Sequence, residues 1–186
     1  MSLFEFLMTI ASVVVAFGVG EIAKYWGELI RQRKQIQKFS WLQIAWSLNV
    51  LLNGLFYWIG MWAYSDLEFN YFYQIFALVV PSLIFVMTCY AITNLRDPES
   101  HRDLNQKYWL DAKSVFITLA LFGYMSLVAD WLIVGHNLDN LWITLVLTSA
   151  TFSLAFVKNH MYHYVYTSIS VVLNIAFILS PLSVLG

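Results

Sequence analysis

Long apolar runs broken by short polar ones organise this chain. Six such runs can be marked, at about residues 3–27, 40–63, 71–93, 114–134, 140–157 and 161–184. Several reach the ~20 residues that a helix needs to cross a ~30 Å hydrocarbon core, and the ~10-residue alternating segments of a membrane-spanning barrel are absent. Inside a bilayer the backbone has to satisfy its own hydrogen bonds, which a helix does within one segment. The pattern therefore predicts an all-α integral membrane fold, a single domain over residues 1–186 built from six transmembrane helices. The fifth run is short and is bounded by HNLDN and VKNH.

Helical periodicity continues beyond the membrane at two places. Glu21, Lys24, Glu28 and Arg31 recur at three- and four-residue spacing on one face, so span 1 is expected to emerge as helix through GEIAKYWGELIRQRKQ. Ser100 to Asp103 reads as a capping box after Pro98, opening a juxtamembrane helix through DLNQKYWLDAK that leads into span 4. Pro81 and Pro181 sit at different offsets within spans 3 and 6, so no inverted repeat is read from them.

Charge then orients the bundle. Lys24, Arg31, Arg33, Lys34 and Lys38 gather around the first connection, Arg96, Arg102, Lys107 and Lys113 around the third, and Lys158 at the fifth. The alternate connections, Ser65 to Asn70 and Gly135 to Asn140, carry no Lys or Arg. The positive-inside rule assigns the basic connections to the cytoplasm and both termini to the outside. Aromatic residues agree: Trp41 and Trp62 lie 21 residues apart, roughly 32 Å of helix, which matches a bilayer core. Tyr25, Trp26, Tyr108, Trp109, Tyr162 and Tyr164 are expected to mark the inner surface, and Tyr71, Tyr73, Trp131 and Trp142 the outer.

Composition adds the class. Hydrophobic residues make up 60% and charged residues 11% of the chain, against roughly 45–50% and ~25% in soluble domains. A soluble fold could not cover that much apolar surface. The N-terminal segment has Glu5 where a signal peptide would be basic, so it is expected to stay as the first span. No lipidation signal is read, and the lone Cys89 excludes an internal disulfide.

Candidate chemistry comes from depth. With the aromatic belts as a ruler, Asn53 of span 2 and Asn174 of span 6 fall at the same level near the midplane, Asn49 one turn inward. Pro81, Ser82, Tyr124, Thr148, Ser149 and Thr151 lie near that level too. Such a layer lines a hydrated cavity or simply hydrogen-bonds helices together, at ~0.6 kcal/mol per contact. Glu21 forms a local pair with the snorkelling Lys24 or serves as a cation relay. On the outer side Glu5 and Asp130 lie shallow, with Asp66, Glu68 and Asp139 in the loops. An acidic mouth concentrates cations, although acids are also what remains when basic residues are kept inside. Glu5, Asp130, Asn53, Asn174 and Glu21 thus make up a candidate ion path.

Other chemistries find little support. His101, His136, His160 and His163 fall in loops or at span ends, which argues against haem or metal, and no cofactor is expected. Neither GxSxG nor HExxH occurs, so no enzymatic activity is predicted. Arg31, Arg33, Lys34 and Lys38 form a cytoplasmic patch suited to anionic headgroups or a protein partner; nucleic acid is not an expected partner.

The opening LFEFLMTIASVVVAFGVGEIAKYWGELIRQRK, the Trp-rich SWLQIAWSLNVLLNGLFYWIGMWAY, the DLNQKYW segment and the charge-poor final pair of spans resemble small six-span bacterial inner-membrane proteins of no known activity. The resemblance implies a bacterial inner-membrane location and transfers no functional residue. The reading that follows is a cation-handling channel or small transporter. Its alternative is a non-transporting subunit or sensor that recruits partners through its cytoplasmic helices. Small-residue faces at Gly18, Gly20 and Gly27 suggest a homo-oligomer.

Overall fold

The computed structural model describes residues 2–65, 67, 69, 71–94, 103–134 and 141–179. Asp66, Glu68, Arg96, Pro98, Ser100, His101, Arg102, His136, Asp139 and Pro181 lie outside the described residues. The helices are α1 Leu3–Arg31, α2 Trp41–Gly60, α3 Phe72–Thr93, α4 Leu104–Val134, α5 Leu141–Ser153 and α6 His160–Leu179, and a 3-10 turn at Met61–Tyr64 prolongs α2. Five of these segments are long and apolar enough to cross a membrane; α5 is a shorter apolar helix. Its 13 residues reach only about 20 Å, less than the ~30 Å of hydrocarbon.

Local chemistry sets the helix ends. Ser2 and Glu5 form a capping box at the start of α1, Ser2 Oγ accepting from the Glu5 N–H at 3.1 Å and the Glu5 carboxylate accepting from the Ser2 N–H at 2.8 Å. Helix α1 runs past the expected membrane boundary but stops at Arg31, and Gln32 to Gln35 form turns. Asp103 opens α4 by accepting from the Gln106 N–H at 2.9 Å. The helix then continues unbroken into the apolar segment, as the DLNQKYWLDAK reading anticipates. The Gln106 N–H, and after it the Lys38 ammonium 3.1 Å away, hold the Asp103 carboxyl below the usual carboxylate range. A further bond, Leu104 N–H to Lys38 O at 3.0 Å, ties the α1–α2 connection to the start of α4.

Helix α3 is the centre of the bundle, packing most extensively on α4 and α1 and also on α2. Its Phe85 is fully buried and occupies a notch left by two glycines. A Cβ on Gly18 would come within 2.7 Å of the ring and 2.9 Å of Cys89 Sγ, and one on Gly54 would overlap the ring outright. Trp26 donates to Ser47 at 2.9 Å and Trp58 to Ser12 at 2.8 Å, which fixes α1 and α2 antiparallel. Gln43 donates to the Ile92 carbonyl at 3.0 Å and Tyr57 to the Leu78 carbonyl at 2.5 Å, fixing α3 antiparallel to α2. Pro81 lies in the middle of α3, where it removes one N–H from the ladder. Most other hydroxyls in the spans bond back to their own helix, as Thr88 does to Ile84 at 3.0 Å.

Successive helices alternate in direction, so the described Lys and Arg residues collect at one end, called here the basic end; Glu5 and Asp130 lie at the other. Three residues there depart from expectation. Tyr25 and Tyr108, read as interfacial belt residues, are buried in the bundle. Lys107, read as a connecting-segment charge, is buried too, donating to the Asn94 carbonyl at 2.8 Å and to Asp111 at 2.5 Å, 5.8 Å above the Tyr25 ring. The amphipathic start of α4 folds onto α1 and α3, which covers these groups. Tyr71, Tyr73, Trp131 and Trp142 at the opposite end remain exposed, as expected of a belt.

Gly18 is used within the bundle and is not free to mediate association, while Gly20 and Gly27 face open space. Replacing Gly54 by Ala should therefore destabilise the protein by about 1–3 kcal/mol through overpacking. Gly20→Ala and Gly27→Ala should not, as read from thermal unfolding in detergent.

Candidate functional site

Helices α2, α4, α5 and α6 enclose a cleft of about 730 Å³. Helix α6 packs chiefly on α2, and among its described residues only His163 and Thr167 are buried. This loose seating leaves the cleft open between α6 and the α4–α5 pair. Along α2 and the 3-10 turn that prolongs it the cleft extends from Trp46 to Tyr64, and on α4 from Leu119 to Val134, about 25 Å along the helix axis.

Polar groups enter it at two levels. At the end remote from the basic residues, half-buried Asp130 of α4 accepts a hydrogen bond from Tyr64, which the 3-10 turn after α2 holds in place. Midway, Ser170 and Asn174 border the cleft and are tied to the buried Asn49 behind it: Asn49 Oδ1 accepts from Ser170 Oγ at 2.9 Å and from Asn174 Nδ2, and its Nδ2 donates to the Ala45 carbonyl at 3.0 Å. Asn53 borders the cleft beside it and donates to the Asn49 carbonyl at 2.8 Å. The walls between are mostly apolar and include two aromatic pairs: Phe56 packs on Phe177 at 4.5 Å and Tyr57 on Phe122 at 5.5 Å, centroid to centroid.

Toward the basic end the cleft stops at an aromatic floor. Trp46 stacks on Tyr166 at 6.1 Å and meets the edge of Phe116 at 4.8 Å. Tyr166 is itself held by Thr151 at 2.8 Å and by the Leu147 carbonyl at 2.7 Å. Beneath this floor lies His163, fully buried and enclosed by Tyr108, Trp109 and Phe116. His163 Nε2 is 2.7 Å from the Val157 carbonyl and Nδ1 is 2.5 Å from the Tyr108 hydroxyl. A carbonyl only accepts, so Nε2 carries a proton, and in the neutral ring Nδ1 accepts from Tyr108. Both nitrogens are thereby engaged in protein contacts.

The structure thus gathers Asp130, Asn53 and Asn174 along one cleft, and Thr148 and Thr151 also border it. Glu5 and Glu21 lie elsewhere. Glu5 caps α1, a helix that contributes nothing to the cleft. Glu21 borders a second cavity between α1 and α3, together with Lys24; among the described residues no ion pair joins the two. Tyr124 and Ser149 bond to each other at 2.9 Å outside the cleft, while Ser82 bonds back to Val79 at 2.6 Å. Arg31, Arg33 and Lys34 are exposed, whereas Lys38 is paired with Asp103. Among the described residues no three His, Cys, Asp or Glu side chains are placed to hold a metal.

Sequence reasoning missed Tyr64, Ser170, Tyr166 and the Tyr108–His163 pair. One signal was present: Asn49 and Asn53 on α2, and Ser170 and Asn174 on α6, both recur at four-residue spacing, which stacks polar groups on a single helix face. Replacing Asn49 by Ala removes both bonds to α6 and should lower stability by about 1 kcal/mol at ~0.6 kcal/mol per contact. Asn53→Ala, which breaks only a bond within α2, should change thermal unfolding less.

No family model, no curated protein and no solved structure matches this chain; its apolar helices make it a multi-pass helical membrane protein, and any closer assignment rests on the cleft.

Proposed function

We propose that the protein is a six-span bacterial inner-membrane transporter that takes a small organic cation into this cleft from the outer face. The observation that carries the reading is Asp130, the carboxylate bordering a mostly apolar cleft into which seven aromatic rings face. A hydrated metal ion would have to give up its water to apolar rings. An organic ammonium loses less on desolvation and gains from ring faces and from one carboxylate. The midplane amides Asn53 and Asn174 offer a second, uncharged stopping place.

The orientation rests on the positive-inside rule, which puts the basic end in the cytoplasm, the Asp130 end and both termini outside. Six spans require α5 to traverse the bilayer although it is short; locally thinned lipid accommodates such a helix at modest cost. The aromatic floor at Trp46 and Tyr166 closes the inner end, which favours a carrier that alternates between states over an open channel. Binding and passage, without chemical conversion of the ligand, is the activity proposed.

Uptake of radiolabelled tetraethylammonium into proteoliposomes tests this. Asp130→Asn should reduce uptake about tenfold or more, the loss expected for one charge-assisted contact. Glu5→Gln and Glu21→Gln should leave it unchanged. Uptake no greater than in empty vesicles, or undiminished by Asp130→Asn, overturns the proposal.

A further inference from the structure

Away from the cleft, α1 and α3 border a second cavity of about 810 Å³ at the basic end. Three charged residues of α1 border it: Glu21, Lys24 and Glu28. Their spacing of three and then four residues puts them on one face, the ammonium between two carboxylates. Neighbours so spaced ordinarily pair along a helix, yet among the described residues none of the three is in an ion pair or a side-chain hydrogen bond. Tyr90 of α3 and Asn94, which ends that helix, border the cavity from the facing side. The local charge is one positive against two negative, the reverse of the exposed Arg31, Arg33 and Lys34 nearby.

The same two helix faces turn apolar one turn deeper. Phe17, four residues before Glu21, is 64% exposed, and on α3 Leu83 and Met87 are 49% and 59% exposed. A polar recess at the level where α1 leaves the bilayer thus opens onto an apolar strip running toward the midplane. We propose that this recess binds the headgroup of a zwitterionic aminophospholipid of the phosphatidylethanolamine class in the inner leaflet. Lys24 meets the phosphate, Glu21 and Glu28 accept hydrogen bonds from the primary ammonium, and an acyl chain lies along Phe17, Leu83 and Met87.

The charge pattern selects the lipid. An anionic headgroup meets two carboxylates and one lysine, a net repulsion. A choline headgroup carries the positive charge but has no N–H to donate, so it forfeits the charge-assisted bonds that a primary ammonium makes. The apolar strip separates a lipid from a soluble phosphoethanolamine, which would have nothing to place there.

Native mass spectrometry of the detergent-purified protein, titrated with phosphatidylethanolamine, phosphatidylcholine and phosphatidylglycerol of matched chains, tests this. The expected result is a single retained adduct, with the ethanolamine lipid favoured about tenfold over each of the others. The Glu21→Gln/Glu28→Gln double variant should abolish the preference over the choline lipid, and Lys24→Met should weaken retention of all three, with thermal unfolding confirming that both variants are folded. Equal retention of the ethanolamine and choline lipids, preference for the glycerol lipid, or an unchanged preference in the folded double variant overturns the proposal. So does soluble phosphoethanolamine that competes as well as the lipid itself.

Discussion

The close approach of three helices around the Phe85 ring is the contact on which the rest of this bundle depends. Gly18 of α1 and Gly54 of α2 present backbone where other residues would present side chains, and the ring of α3 fills the gap. Between helices in lipid there is no hydrophobic driving force, so such close packing is the principal source of association. With α1, α2 and α3 locked together, α4 finds a continuous surface on α3, and the buried cluster running from Val15 and Val50 through Phe85 to Phe116 and Leu119 is complete. The hydrogen bonds from Trp26, Gln43, Tyr57 and Trp58 then set the vertical register of these helices.

Helix α5 packs on α4, where Thr148 fits against Gly123. Helix α6 lies at the edge of the bundle and is held differently, at a few polar points: Asn49 to Ser170 and Asn174, Tyr108 to His163, and Tyr166 to Thr151 of α5. A few directed bonds along a helix hold it at points and leave space between, and that space is the cleft. The contrast between glycine-notched packing among the other helices and a polar-stapled α6 is therefore what creates a cavity. A shift of α6 would leave the packing of α1 to α4 in place, which is what the proposed carrier requires.

Much of this was legible from residue order. Apolar runs with polar punctuation marked the helices to within a few residues, and DLNQKYW announced that α4 begins before its apolar segment. The aromatic belts put Asn53 and Asn174 at one level, and both border the cleft. Rotation about each helix was not legible. Asn174 reaches Asn49 and not Asn53, because the direction in which a side chain faces depends on packing that hydropathy does not encode. For the same reason Tyr25, Tyr108 and His163, polar at one tip and apolar in body, were read as interfacial although they are buried. Glu5 was placed at the right end of the bundle, but its carboxylate serves the α1 cap and not the cleft.

If the cleft is a ligand path, the Asn174 level in the state described is open to water and ligand from the end that carries Asp130 and closed toward the basic end by Trp46 and Tyr166. Cys89, the lone cysteine, is buried beside Gly18 and can be replaced by Ser to give a silent background. In that background Asn174→Cys can be exposed to a membrane-impermeant thiol reagent in vesicles of either orientation. Labelling should be faster from the Asp130 side than from the basic side, and slowed by tetraethylammonium. Labelling from the basic side as fast or faster, or none from either side in the folded protein, would overturn this.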